Sequence, residues 1–305
     1  MLNLHQLEVF YVVAQSRTFG EAADKLYISQ PAISQQIKGL EIAVGSRLFE
    51  RSRRGISLTP AGEILLEHTR EILRLVAVAE NAVTNIHNLQ EGKTTIGATP
   101  NISSYLLPEW IRAFRDKYPN LTPSVQTDVT PRTIADVLAG QLDLGFIEGE
   151  LSGDVSERLG HVVLQDVPQR IVVGRAHEWW GRTNVSIHDL AEQAFVMRQQ
   201  TSQTRIWLSA VLQAHDIFPR ITGEFDNPEA IKHSTITGQC VTILPEYAVQ
   251  KEVELDLLHV VRVDDFDLRR ELKLIWDSDR VFPPVTRAFV AYLQDCHFPQ
   301  LAELL

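Results

Sequence analysis

The chain has 305 residues, 44% of them hydrophobic and 22% charged, with a formal net charge of −10. This is the composition of a globular protein long enough for two or three domains with cores of their own. No stretch approaches the roughly 20 apolar residues that span a bilayer, two cysteines show no metal-type spacing, and no Gly-rich phosphate loop, His-Glu-x-x-His or nucleophile elbow occurs, so a membrane span, a metal or cofactor site and an enzyme are not expected.

The charge is unevenly spread. Residues 1–60 hold seven Lys or Arg against five Asp or Glu, and the rest of the chain holds 22 against 34. A polyanion partner is therefore expected at the N-terminal end and a different task beyond it. A first helix is expected over 4–15, with Leu4, Leu7, Val9, Phe10 and Val13 on its apolar side. A second carries Ala22 and Ala23 and ends near Leu26. Ser29 then offers a hydroxyl cap to a third helix with Pro31 in its first turn. Two helices joined this tightly form a helix-turn-helix, which sets its second helix in the DNA major groove.

That helix has a buried stripe, Ile33, Ile37, Leu40 and Val44, and a polar face with Gln30, Ser34 and Lys38, flanked by Pro31 and Gln35. Amides and hydroxyls bond to base edges, and a lysine meets phosphate or guanine. Two short apolar segments then flank Arg51-Ser52-Arg53-Arg54-Gly55, the pattern of a hairpin whose basic tip suits phosphates and the narrow minor groove.

From 60 to 89 the pattern is one long helix. Leu65, Ile72, Val76, Ala79, Val83 and Ile86 recur at coiled-coil spacing, which points to pairing with the same helix of a second chain. Gln90–Lys93 would end it as a hinge. Strand and helix signals then alternate: strands at 94–98, 123–127, 142–147, 170–173, 194–197, 220–225, 241–244 and 271–276, helices at 105–118, 132–140, 204–215, 228–237 and 284–297. This is an α/β pattern expected to form mainly parallel sheets, whose ligands sit at the carboxyl ends of strands. Those ends give five polar turns: Thr99–Ser104 (with Asn101, Ile102 and Ser103), Thr127–Thr130, Glu148, Arg198–Thr204 (with Thr201 and Ser202) and Asp226-Asn227.

The N-terminal residues resemble the LysR-type transcriptional regulators of bacteria. The resemblance rests on Leu7, Phe10, Phe19, Ala22-Ala23, Leu26, Ser29-Gln30-Pro31-Ala32-Ile33-Ser34, Ile37, Leu40-Glu41, Gly45, Leu48-Phe49, Arg51, Leu58-Thr59 and Gly62. It implies an all-α winged helix-turn-helix domain over 1–59, a linker and dimerisation helix with its hinge over 60–92, and a two-lobed α/β effector domain like the periplasmic binding proteins over 93–305. Crossovers near 163–166 and 263–265 would divide the last into lobe I (93–163 and 266–305) and lobe II (164–265).

The resemblance further implies groove contacts by Gln30, Pro31, Ser34 and Gln35, wing contacts by Arg51, Arg53 and Arg54, and inducer contacts by Thr99, Asn101, Ile102, Glu148, Thr201 and Ser202. Where many members have arginine this chain has Gln35, which removes a strong guanine-reading group. Where sulfur and carbon-fixation regulators often have a glycine-rich segment, it has Gln199-Gln200-Thr201-Ser202-Gln203. The expected function is promoter binding to an inverted repeat of double-stranded DNA, modulated by a small organic acid or inorganic oxyanion; the alternative is a cytoplasmic solute-binding or sensor protein without sequence-specific DNA readout. RNA polymerase is a further expected partner, a homodimer assembling to a homotetramer the expected state, and the cytoplasm the expected location, since residues 1–8 show no basic segment leading an apolar one.

Overall fold

A computed structural model describes residues 2–52, 55–84, 92–151, 156–264 and 266–304. The chain divides after Asn88 into two units, Met1–Asn88 and Leu89–Leu305.

In the first unit, local caps place each helix. The Asn3 carboxamide oxygen accepts the His5 amide at 2.9 Å and starts α1 (Leu4–Ala14). The Thr18 hydroxyl accepts from Glu21 and starts α2 (Phe19–Leu26), which Tyr27 closes in the left-handed region at φ 55°. Ser29 caps α3 (Gln30–Val44), with Pro31 in the first turn, where a missing N–H is harmless. Ile33, Ile37 and Leu40 bury against Leu7, Phe10, Val13, Phe19 and Ala22; Val44, the fourth residue of the expected stripe, is half-buried.

The hairpin follows as β1 (Phe49–Ser52) antiparallel to β2 (Gly55–Leu58). The Phe49 ring lies 5.4 Å from Phe10 and 5.9 Å from Phe19, so the hairpin is anchored on the helical core. Next, the Thr59 hydroxyl accepts the Gly62 amide at 3.0 Å and donates to the Arg47 carbonyl at 2.7 Å, which fixes the start of α4 (Pro60–Thr84). A Cβ on Gly62 would lie 2.2 Å from the Leu48 carbonyl oxygen. Only a hydrogen fits there.

α4 packs along α1, so two residues of the expected seam turn toward their own unit. Leu65 and Ile72 pack against the unit's own core. Val76 is half-buried and Ala79 exposed. The Val83 side chain and Ile86 lie outside the described residues, as does the expected stretch 85–89. Two other apolar residues of α4, Ile64 and Leu75, are 62% and 52% exposed.

The second unit runs β3 (Gly92–Ala98), α5 (Pro100–Tyr105), α6 (Leu107–Lys117), β4 (Leu121–Thr127), α7 (Thr130–Leu138), β5 (Leu144–Glu148), β6 (Leu159–Gly174), β7 (Asn184–Val185), β8 (Ala194–Arg198), α8 (Gln203–Gln213), β9 (Arg220–Phe225), α9 (Pro228–Thr237), β10 (Val241–Pro245), α10 (Gln250–Glu254), β11 (Leu258–Val263), β12 (Arg269–Asp277) and α11 (Pro284–Cys296). Strands follow the order β4-β3-β5-β12-β6-β10-β8-β9, with β11 beside β6 and β7.

β6 serves both lobes. From Leu159 to Pro168 it pairs antiparallel with β12, and from Gln169 onward with β10 and then β11. The exchange therefore falls at Pro168–Gln169 rather than at 163–166. A proline cannot donate to a ladder, which makes it a natural place to change partners. The return is made by Leu268, whose carbonyl accepts the Gln169 amide at 2.7 Å. By these pairings lobe I comprises 92–168 and 269–304, and lobe II 169–268. The sheet is mixed rather than mainly parallel. β3–β4, β3–β5, β8–β9 and β8–β10 are parallel, while every pairing of β6 and β12 is antiparallel.

Each lobe has its own core, around Phe114, Phe146 and Phe289 in lobe I and around Trp179, Phe195 and Leu212 in lobe II. Among the described residues no helix is long and apolar enough to cross a membrane.

Gly62→Ala forces an added methyl into backbone, an overpacking that costs about 1–3 kcal/mol. Denaturant melts of the first unit, followed through hydrogen exchange in α1 and α4, should lose that much while the second unit's transition stays put.

Candidate nucleic-acid interface and ligand cleft

On the first unit, Gln30, Pro31, Gln35 and Lys38 of α3 are exposed and Ser34 is half-buried. A groove of ≈ 1190 Å³ runs between α3 and β1, lined by Ser34, Lys38, Ile42, Arg47 and Glu50 among others. Arg47 is exposed there and was not singled out from sequence. It lacks the basic run that drew attention to the hairpin, and only the fold carries it beside α3. Glu41 looks out of place on such a face, but its carboxylate accepts the Leu48 amide at 2.8 Å and so holds the start of the hairpin. Arg53, Arg54 and the Arg51 side chain lie outside the described residues.

In the second unit the turns at the strand ends converge between the lobes. Thr99, Pro100, Asn101, Val129, Thr130, Glu148, Arg198, Ser202, Thr204 and Arg270 line an inner cavity of ≈ 30 Å³. A contiguous outer cavity of ≈ 440 Å³ shares Pro100, Val129 and Arg198 and adds Ser103, Ser104, Thr127, Asp128, Gln199, Asp226 and Asn227.

The inner wall is built on a buried ion pair. Arg270, arriving on β12, donates to the Glu148 carbonyl at 2.6 Å and to the Thr204 hydroxyl at 2.8 Å, and its guanidinium lies 3.6 Å from the Glu148 carboxylate. The Tyr247 hydroxyl donates to the same carboxylate. Burial pushes the Glu148 carboxyl above the usual carboxylate range, and Arg270 opposes that. Burial likewise raises the Tyr247 phenol and lowers the Arg270 guanidinium. Gly149 follows at φ 95°, and a Cβ on it would meet an Arg270 nitrogen at 2.1 Å; glycine is required on both counts.

These contacts join the lobes, because Glu148 and Arg270 belong to lobe I and Thr204 and Tyr247 to lobe II. A second tie closes the rim: the Tyr105 hydroxyl donates to Glu229, which also pairs with Lys232 at 3.1 Å, and the Lys232 ammonium stands 4.6 Å from the Tyr105 ring centre.

Several polar atoms in the inner cavity have no partner among the described residues: Thr99 Oγ1, Asn101 Oδ1, Arg198 Nη1 and Arg270 Nε. Arg198 is only 8% exposed, and burial pulls its guanidinium down. Buried polar atoms without partners are rare in folded proteins, and these four belong to residues that line one cavity.

Of the residues singled out from sequence, Thr99, Asn101, Glu148 and Ser202 line the inner cavity and Ser103 the outer. Ile102 does not line either; its side chain is in the lobe I core. Thr201 is exposed and lines neither. Arg270 and Tyr247 were missed. One signal was available for Arg270: on β12 it shares a face with Leu272 and Leu274, and a charge at an apolar phase of a strand is buried with a partner or not at all.

A winged helix-turn-helix joined to a two-lobed α/β body with a ligand-sized cleft defines a ligand-binding DNA regulator. Comparison with known proteins agrees. Residues 4–63 match the bacterial regulatory helix-turn-helix protein, lysR family, and residues 87–296 match the LysR substrate binding domain. A protein of Trichormus variabilis named "Probable RuBisCO transcriptional regulator" is 32% identical over 290 residues, 94% of this chain and 86% of its own length. One of the same name from Synechocystis is 31% identical over 291 residues, 94% of this chain and 84% of its own. Among solved structures, full-length CbnR complexed with its target DNA superposes with TM-score 0.70 at 22% identity, covering 96% of this chain and 99% of that one. A full-length OxyR from Pseudomonas aeruginosa gives 0.74 at 22%, covering 97% and 96%. The chain belongs to the LysR family of transcriptional regulators.

Removing one partner of a buried ion pair strands the other, so Arg270→Leu should destabilise the second unit by about 3–5 kcal/mol. Arg198→Leu removes a cation with no carboxylate paired to it and should change stability far less. Calorimetry of the two variants would expose a wrong assignment if the losses were equal or reversed.

Proposed function

We propose that this LysR-type regulator reads an inverted repeat through Gln30, Pro31, Ser34, Gln35 and Lys38 in the major groove, with Arg51, Arg53 and Arg54 on the wing. In the same reading the chain is organised as a DNA-binding domain over 1–59, a linker helix over 60–92 and an effector domain over 93–305. A small anion bound between the lobes modulates promoter occupancy. The observation that carries the sensor half is the partnerless cluster of Arg198 Nη1, Thr99 Oγ1 and Asn101 Oδ1 at the carboxyl ends of strands. A buried guanidinium, a hydroxyl and Ser202 at the start of α8 supply the donors an oxyanion needs.

The lobes are tied across that site by residues which themselves line it, so a ligand that engages Arg198 also bears on the Arg270–Thr204 contact. Binding then favours one interlobe arrangement over another by its differential contacts. The chain acts as a homodimer paired through α4, where Ile64, Leu75 and Ala79 are exposed among the described residues. Assembly to a tetramer and action on RNA polymerase belong to the same proposal. Relatives named for RuBisCO regulation make promoters of that kind the first operators to try.

Two substitutions separate the halves. Ser34→Arg places a long cation where a hydroxyl faces the groove, and should weaken specific operator binding at least about tenfold, or 1.4 kcal/mol, with an unchanged melting curve. Thr99→Val should leave operator affinity intact and abolish the ligand response. Fluorescence anisotropy with a labelled operator measures both, and a ligand response that survives Thr99→Val would put the site elsewhere.

A further inference from the structure

The charges around the cleft narrow its ligand. In the inner cavity Arg270 is matched by Glu148, both side chains 3% exposed, so its positive charge is already compensated. Arg198 is the other buried cation at the site. It lines both cavities, and no carboxylate stands within ion-pair distance of it among the described residues. The inner cavity at ≈ 30 Å³ has room for a few heavy atoms only.

The outer cavity has the opposite character. Its lining holds two carboxylates, Asp128 and Asp226, with the hydroxyls of Ser103, Ser104 and Thr127 and the amides of Gln199 and Asn227. Asp128 already accepts the Val129 amide at 2.7 Å through one oxygen. Asp226 acts on Arg198 through its charge. Across both cavities the lining carries two cationic side chains and three anionic ones. A ligand with two or more negative charges would satisfy Arg198 once and set its remaining charge against Asp128 and Asp226. A ligand with one anionic group at Arg198 and hydrogen-bond donors along the rest would suit both ends.

We infer that the effector is a monocarboxylate bearing hydroxyl or ammonium donors, its carboxylate at Arg198 and Thr99 and its donors facing Asp128 and Asp226, rather than a phosphate ester or a sulfate-type dianion. This rests on the reading of the cleft as an anion site. It uses Arg198 and the two aspartates together; neither end alone specifies the ligand.

The test is a calorimetric and thermal-shift titration of the full chain with five probes at equal concentration: D-gluconate, L-glutamine, acetate, sulfate and ribose 5-phosphate. Gluconate or glutamine should bind at least tenfold more tightly than any of the other three. Which of the two does so separates hydroxyl from ammonium donors. In the Asp128→Asn/Asp226→Asn variant, which keeps an oxygen for the Val129 amide, that preferred probe should weaken at least fivefold and ribose 5-phosphate should gain. Sulfate or ribose 5-phosphate binding the unaltered chain as tightly as the donor-bearing acids would overturn this inference and leave the anion reading standing. Acetate matching gluconate and glutamine would remove the outer cavity from it and overturn it too. Binding of none of the five would sink both readings.

Discussion

The second unit depends on one buried guanidinium. Arg270 sits where β12 begins and where the chain has just returned from lobe II, and it reaches the end of β5 and the start of α8 at once. A buried ion pair is weak evidence for stability, since desolvation offsets most of the attraction. What it does supply is position. Arg270 is satisfied only when Glu148 of one lobe and Thr204 of the other stand in one arrangement, and Tyr247 is bonded to the same carboxylate from the second lobe. An apolar floor would tolerate sliding. This one specifies how the lobes meet.

That constraint is effective because β6 crosses between the lobes without a break. A strand that pairs with β12 up to Pro168 and with β10 from Gln169 gives the two halves a common spine. The remaining freedom lies in how the lobes turn about Pro168–Gln169 and the return at Leu268. The contacts opposing such a turn include polar ones, Tyr247 on Glu148, Arg270 on Thr204 and Tyr105 on Glu229, and the packing of Tyr247 against the lobe I core and the Tyr105 ring. Polar contacts of this kind contribute on the order of 1 kcal/mol each, the scale on which a small ligand can compete.

Local signals made the first unit legible. Ser29, Pro31 and Gly45 bound α3 as caps do anywhere, and Ile33, Ile37 and Leu40 mark its inner face by spacing alone. The strand ends of the α/β body could be read too, because Thr99 and Glu148 follow apolar strand residues and Ser202 lies in the polar turn after β8. Long-range pairing could not. The first half of β6 has only the three-residue apolar run Val162-Val163-Leu164 between His161 and Gln165-Asp166; its register comes from β12, more than a hundred residues away. Two residues of the expected α4 seam, Leu65 and Ile72, pack in their own unit for a related reason. A heptad pattern shows that one stripe is buried, and it was the packing of α1 that turned Leu65 and Ile72 toward their own domain.

The charge distribution bears on why such a reading head would work in pairs. An excess of two positive charges over residues 1–60 is small for a surface that meets a polyanion. Each phosphate neutralised contributes a salt-dependent increment to affinity, with a slope near −0.9 per contact. If the proposed contacts hold, one copy of this domain would neutralise few phosphates, and Gln35 would discriminate bases less than an arginine at that position. Two copies on one operator double the phosphate contacts and couple the half-sites, so that the second binds at the effective concentration set by the first. In the proposed reading, modest single-head affinity would be an advantage: occupancy would depend on how two heads are spaced, and a change that alters the spacing would act on the whole of the bivalent gain.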